Sequence, residues 1–275
     1  MAYEAVALEL KNFFGVGHVY VNAKQAIYKV TNAKDLLVLV DHFMNYPLQS
    51  PAYSSFLLWA EAVRLYLEKQ YLTSTPVLSR LMAISAALGR GPSAALKAAY
   101  PNLVPATLPA YTPPISLQSW YISGFFTVYG SFTAIHLLVP VYTFNPDVTN
   151  DKWRHMFTVG FDISAYGLVI AIANQLGITC YVRNSGLRVD LIAQSDSECE
   201  RLIEFFENYP LFGPKAELFS LWSEYVALTI ENDLYRQKYL TPFQTLGREM
   251  AKNNGPLIAL IRKITELNKR LGGKN

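Results

Sequence analysis

The apolar and polar positions divide the chain into helices and strands in a definite order. Along 153–163 apolar residues alternate with polar or small ones, the two-residue period of a strand. Further strands are expected at 18–22, 26–31, 131–144, 179–184 and 187–193. Helices are expected at 2–14, 33–45, 52–70, 117–129, 165–176, 196–208 and 214–233, with shorter ones near 75–88 and 92–99 and a basic helical tail. The stretch "AYPNLVPATLPAYTPPISL" reads as an extended linker, because its prolines block a helix and a central strand alike.

Between Lys97 and Asp147 there is no Asp, Glu, Lys or Arg. A membrane span is the first reading of such a stretch. Pro101, Pro105, Pro109, Pro113 and Pro114 break its first part, and Gly124, Gly130, His136 and Pro140 interrupt the rest, so no span is expected.

The pattern repeats. "DHFMNYPLQSPAYSSFLLW" (41–59) aligns without a gap on "EFFENYPLFGPKAELFSLW" (204–222), pairing Tyr46, Pro47 and Leu48 with Tyr209, Pro210 and Leu211, and Trp59 with Trp222. Upstream, "FFGVGHVYV" and "QLGITCYVR" each run from a helix end into a strand. The second copy is preceded by a helix, "SFTAIHLLVPVYTF" and "WRHMFTVGFDIS", whereas the first has about a dozen residues before Gly15. The expected organisation is a truncated first repeat at 1–100, a linker at 101–117, a full second repeat at 118–247 and a basic tail at 248–275.

Composition adds limits. Charged residues make up 16% of the 275-residue chain, against about 25% in an average domain, which suggests that much surface is covered. A net charge of +3 is mildly basic. Cys180 and Cys199 cannot make a disulfide framework or a cysteine-rich metal site. The first residues, with Glu4 and Glu9, resemble neither a secretory signal nor a transit peptide.

The order helix, two strands, helix, two strands, helices, repeated across a linker, resembles the single-chain LAGLIDADG homing endonucleases. The pieces that carry the resemblance are "NFFGVGHVYV", "KDLLVLVDHFMNYPLQS", "AAYPNL", "LQSWYISGFFTVYGSF", "FDIS" and "FFENYPLFGPK". The resemblance implies an α+β fold of αββαββα repeats. It also implies signature helices packed through small residues, here Ser123 and Gly124. Each such helix ends in an acid that holds divalent metal for phosphodiester cleavage. In this chain the acid position falls on Tyr129, and a second frequent acid falls on Thr127. A phenol is neutral at pH 7 and a poor Mg²⁺ ligand beside a carboxylate. No catalytic residue, metal site or cofactor is therefore expected.

The family's sheet faces DNA. With Phe132 and Phe161 pointing inward, the groove face would carry Thr133, Ile135, Leu137 and Val139, then Arg154, Met156, Thr158, Gly160 and Asp162. Such an apolar strip suggests protein contact. Nucleic-acid contacts would fall to Arg154, Arg183, Arg188 and Lys215, with Arg248, Lys252, Arg262, Lys263, Lys269 and Arg270 of the tail.

These readings lead to an expected pseudoenzyme, an accessory subunit of a large organellar assembly. A mitochondrial ribosome, with rRNA contact, comes first and a respiratory-chain complex second; a mitochondrion is the expected compartment, with a chloroplast as alternative. Partners would be proteins, including a chain that supplies the missing N-terminal piece, with no specific DNA. The competing expectation is a split endonuclease or intron maturase completed by a separate chain, with one acid and at best a nicking activity.

Overall fold

The computed structural model describes residues 3–22, 25–89, 93–140, 149–183, 186–239 and 250–271. They form two compact units, divided between Ile115 and Ser116.

The first unit contains α1 (Glu4–Phe14), β1 (His18–Val21), β2 (Ala26–Lys29), α2 (Ala33–Asn45), α3 (Ala52–Glu68), α4 (Thr75–Leu88) and α5 (Ala94–Ala99). Helix α1 stops at Gly15, whose φ of 68° is the left-handed conformation that favours glycine. Antiparallel β1 and β2 form a two-stranded sheet. Asn32 caps α2 by accepting from the Lys34 N–H. A small core joins α2 to α3 through Val40, Phe56, Ala60 and Val63. The proline-rich segment is extended and is pinned to this unit: Ala106 N–H donates to Ala83 O, and Tyr111 hydroxyl donates to Gln49 O.

The second unit contains α6 (Ser119–Tyr129), β3 (Ser131–Pro140), β4 (Thr149–Asp162), α7 (Tyr166–Leu176), β5 (Thr179–Val182), β6 (Arg188–Ala193), α8 (Asp196–Asn208), α9 (Pro214–Tyr239) and α10 (Met250–Arg270). The antiparallel sheet has the order β3-β4-β6-β5. Helix α8 begins in a capping box, with Ser195 and Glu198 satisfying each other's backbone N–H groups.

One face of this sheet is packed. Phe132, Phe157, Val189 and Leu191 are fully buried with Phe126, Phe206 and Trp222 of the helices. Each such side chain contributes about 1.5–3 kcal/mol of burial. Gly130 is needed at the turn from α6 to β3, since a Cβ there would sit 2.7 Å from Phe126 O and 2.8 Å from the Phe157 ring.

Strand β3 stands at a sheet edge, and α9 and α10 cover it. Trp222 Nε1 donates to Thr133 O, Tyr225 hydroxyl to Ile135 O, and Asn268 Nδ2 to Phe132 O. Helix α10 inserts Leu257, Leu260 and Ile264 into the core. The basic tail is thus an amphipathic helix that closes an edge, a role the charge pattern alone did not reveal. None of the described helices is long and apolar enough to cross a membrane.

Candidate nucleic-acid interface and the end of the signature helix

The register places Phe132, Phe157, Val159, Val189 and Leu191 on the helix-packed face. The opposite face then carries Thr133 and Ile135 of β3, Arg154, Met156, Thr158, Gly160 and Asp162 of β4, and Arg188, Asp190 and Ile192 of β6. Thr179 and Tyr181 of β5 continue it, and Arg183 N–H donates to Arg188 O, extending the ladder by one residue. This is the register expected with Phe132 and Phe161 inward. Leu137 and Val139 lie on β3, but their side chains fall outside the described residues.

The face is less apolar than β3 and β4 alone suggest. Arg183 Nε donates to Asp190 Oδ2, with the arginine side chain 55% exposed and the aspartate 9%. Gly160 lies beneath: a Cβ there would stand 2.6 Å from Asp190 Oδ1 and 2.7 Å from Arg188 Nη2. Glycine leaves the space in which both side chains lie. Asp162 is opposite Arg188. Backbone donation from Ser164 N–H, aided by Arg188, holds the Asp162 carboxyl below the usual carboxylate range. Asp190 was not among the expected site residues. Its signal in the sequence was an acid inside the apolar run "RVDLIA", on the face opposite Val189 and Leu191.

The end of α6 differs from expectation. Ser123 is buried and donates to Pro210 O at 2.7 Å, so it faces this unit's own "YPLFGPK" segment and is not available to a second helix. Thr127 is also buried: it donates to Ser123 O and accepts from Phe212 N–H. Gly124 has open space where a Cβ would be. Lys215, expected as a nucleic-acid contact, is instead 6% exposed, and its Nζ donates to Gly130 O at 2.7 Å. Burial pushes its pKa below the ordinary lysine value. Tyr129 is 59% exposed, its ring centroid 4.8 Å from that of Phe125.

Three hydrogen bonds thus clamp α6 onto the segment from Pro210 to Lys215. The donor set at the helix end is one exposed phenol, one fully engaged threonine hydroxyl and a buried lysine. These do not fit a hard divalent cation, which takes carboxylate and carbonyl oxygens. Among the described residues no group of three His, Cys, Asp or Glu could hold a metal.

On the tail, Arg262, Lys263, Lys269 and Arg270 are exposed, with Arg270 paired to Glu266 one turn away. Lys252 lies in α10 with its side chain outside the described residues, and Arg248 lies outside them altogether. The histidines of the second sheet are structural in their contacts. His155 bridges β4 to α8 and α9 through Asp196 and Thr229, and His136 stacks on Trp153.

The model of the LAGLIDADG endonuclease family matches residues 2–63 and 122–226. The chain belongs to the LAGLIDADG endonuclease family. A curated relative, "Probable intron-encoded endonuclease 3" of Neurospora crassa, is 25% identical over 226 residues; these are 78% of this chain and 40% of the relative's length. Among solved structures, the LAGLIDADG homing endonuclease I-GzeII in complex with its DNA target superposes with a TM-score of 0.77 at 20% identity, covering 94% of this chain and 83% of that one. I-SmaMI bound to an uncleaved DNA target in the presence of calcium ions gives 0.79 at 20% identity, with 95% and 84% covered. These likenesses establish the α+β LAGLIDADG fold with its two repeats.

They also correct two expectations. The family model and the curated relative are those of endonucleases, so the loss of an acid at Tyr129 does not make this chain a non-enzyme. The solved neighbours hold DNA targets, which overturns the expectation that no specific DNA is met. Nothing in these likenesses favours a ribosomal or respiratory assembly.

Proposed function

We propose that this chain forms the DNA-recognition body of an intron-encoded homing endonuclease. The polar face of β3-β4-β6-β5 lies in the major groove of one half of the target. The observation that supports it is the set of three arginines, Arg154, Arg183 and Arg188, on the face opposite the helix-packed one of a sheet in a LAGLIDADG fold. Two aspartates, Asp162 and Asp190, share that face and hold its net charge close to neutral. Affinity then depends on placed contacts more than on bulk attraction to phosphate.

The chemistry is asymmetric in this reading. Cleavage in this fold relies on a carboxylate at the end of a signature helix. Helix α6 ends in Tyr129, which cannot take that role, and no hydrolytic step is assigned to it. Lys215 holds the C-terminal carbonyl end of α6 by binding Gly130 O, where a cation is favourable. The acid comes from the equivalent helix of the first repeat, supplied in the assembled enzyme, and one active carboxylate breaks one strand. The intron-encoded fungal relative supports a mitochondrial setting as part of the same proposal.

Selection from a randomised duplex library, first with the purified chain and then with the first repeat's signature helix supplied beside it in Mg²⁺, tests this reading. The expected result is enrichment of a common sequence by the chain alone, with breaks, confined to one strand, when that helix is supplied. Absence of both specific binding and strand breaks would remove it.

A further inference from the structure

We infer that Arg183, held by Asp190, reads a guanine in the half-site met by the second unit. This inference rests on the proposed DNA-binding role of that sheet. It goes beyond it by assigning one side chain, one positioning residue and one base.

Asp190 sits mid-strand between Gly160 and Tyr181, the residues opposite it on either side, and is 7% exposed. A carboxylate so placed is unfavourable unless paired. Its pair is Arg183, reached diagonally across the β5–β6 hairpin. The pairing fixes a long side chain that would otherwise sample many rotamers. An arginine held through Nε keeps the parallel N–H pair of its two Nη atoms for an acceptor outside the protein. That pair matches the O6 and N7 of guanine, the contact by which arginine most often specifies a base.

A phosphate contact is the competing use of an exposed arginine. The geometry disfavours it. The Asp190 carboxylate neutralises Arg183, which weakens attraction for a phosphate but leaves hydrogen-bond direction intact. Gly160 supports the same reading, because any larger residue would collide with the Asp190 carboxylate and the Arg188 guanidinium. Three strands therefore contribute to the placement of one guanidinium: β4 the space, β6 the carboxylate, and the end of β5 the arginine.

The test is selection from a randomised DNA duplex library by the wild-type protein and by Arg183→Gln, Arg183→Lys and Asp190→Asn. Wild type is expected to enrich one G·C pair at a fixed place in the site. Arg183→Gln should lose that preference at that pair alone, binding the best site about tenfold or more weakly. Its salt dependence of binding should be unchanged. Arg183→Lys should not restore the preference, since the charge returns without the fork. Asp190→Asn should relax the same pair, with thermal melting reported alongside to separate misfolding from lost orientation. Retention of the G·C preference in Arg183→Gln, its rescue by lysine, or a salt slope reduced by about one would overturn the inference and point to a phosphate contact. If wild type enriches no sequence, the DNA-binding reading itself fails and takes this inference with it.

Discussion

Helices α1 and α7 are the same element in two settings. Each has 11 residues, ends at a left-handed glycine (Gly15 and Gly177) and leads to a strand of 4 residues with the same exposure pattern. Yet α7 buries Leu168, Val169, Ile172, Ala173 and Leu176, while α1 buries Ala7. Leu8, Leu10 and Phe13 of α1 are 43%, 42% and 69% exposed. The helices differ in what meets them, and α1 also carries Glu4, Glu9 and Lys11 where α7 has no charged residue. In the second unit α7 packs on β4, β5, β6 and α8. The described residues of the first unit hold no counterpart of α6, β3 and β4. Local structure is therefore set within a few residues, by a helix, a glycine and a hairpin. Burial depends on the completed repeat.

The same contrast holds at the duplicated motif. Leu211 is buried and Pro210 O receives Ser123, so the second motif clamps a signature helix. In the first motif Leu48, the counterpart of Leu211, is only half-buried, and Ala52 stands where Lys215 stands in the second.

The largest expected effect that probes this contrast is at the paired tryptophans. Trp222 is fully buried and Trp59 only half-buried. Trp222→Ala should destabilise by about 3–5 kcal/mol and Trp59→Ala by less than half of that, read from urea unfolding midpoints. Equal losses would mean that the first unit has a core as complete as the second.

Next come two glycines of the signature stretch. Gly130→Ala places a methyl group against Phe126 O and the Phe157 ring and should cost about 1–3 kcal/mol. Gly124→Ala meets open space and should stabilise α6 by up to about 1 kcal/mol. If both destabilise, the open face of α6 is occupied by another element in solution.

Helix caps give a smaller contrast. Ser195→Ala removes a full capping box from α8, and Asn32→Ala removes a single side-chain bond from α2. The first should cost about 1 kcal/mol and the second less, by thermal melting.

The smallest effect is a pH dependence at Lys215. Burial lowers its folded pKa below the ordinary value. Between the folded and unfolded values the unfolded chain binds the extra proton, so stability rises with pH through that window. Lys215→Met should flatten this rise. A wild-type stability that falls as pH passes through the same window would show that the charged form is favoured in the fold.

Much of the second unit was legible in the sequence, because its strands must keep one face apolar. Phe132 and Phe161 fixed which residues face outward. The repeat "NYPL" and the glycines at helix ends marked the element boundaries. Other features were not legible, because they depend on contacts distant in the chain. Ser123 looks like a helix-packing residue until Pro210 O, 87 positions away, is seen to accept its hydrogen bond. Lys215 reads as a surface cation until Gly130 O is found above it. The tail reads as a charged helix, although Leu257, Leu260 and Ile264 define its buried stripe. Asp190 was hidden for a different reason: one acid in an apolar strand means little until Arg183 and Gly160 are placed around it. Tyr129 is one position at one helix end, whereas the family model matches residues 2–63 and 122–226, so a single side chain there says little about what the whole fold does.

This fold still engages specific DNA, while the end of α6 takes no part in cleavage. Mapping strand breaks on sequences selected from a randomised duplex library, in Mg²⁺ and with the first repeat's signature helix supplied, tests this most directly. The expected result is a common target sequence broken on one strand. Recovery of no common sequence, or a break in both strands that depends on Tyr129, would contradict it.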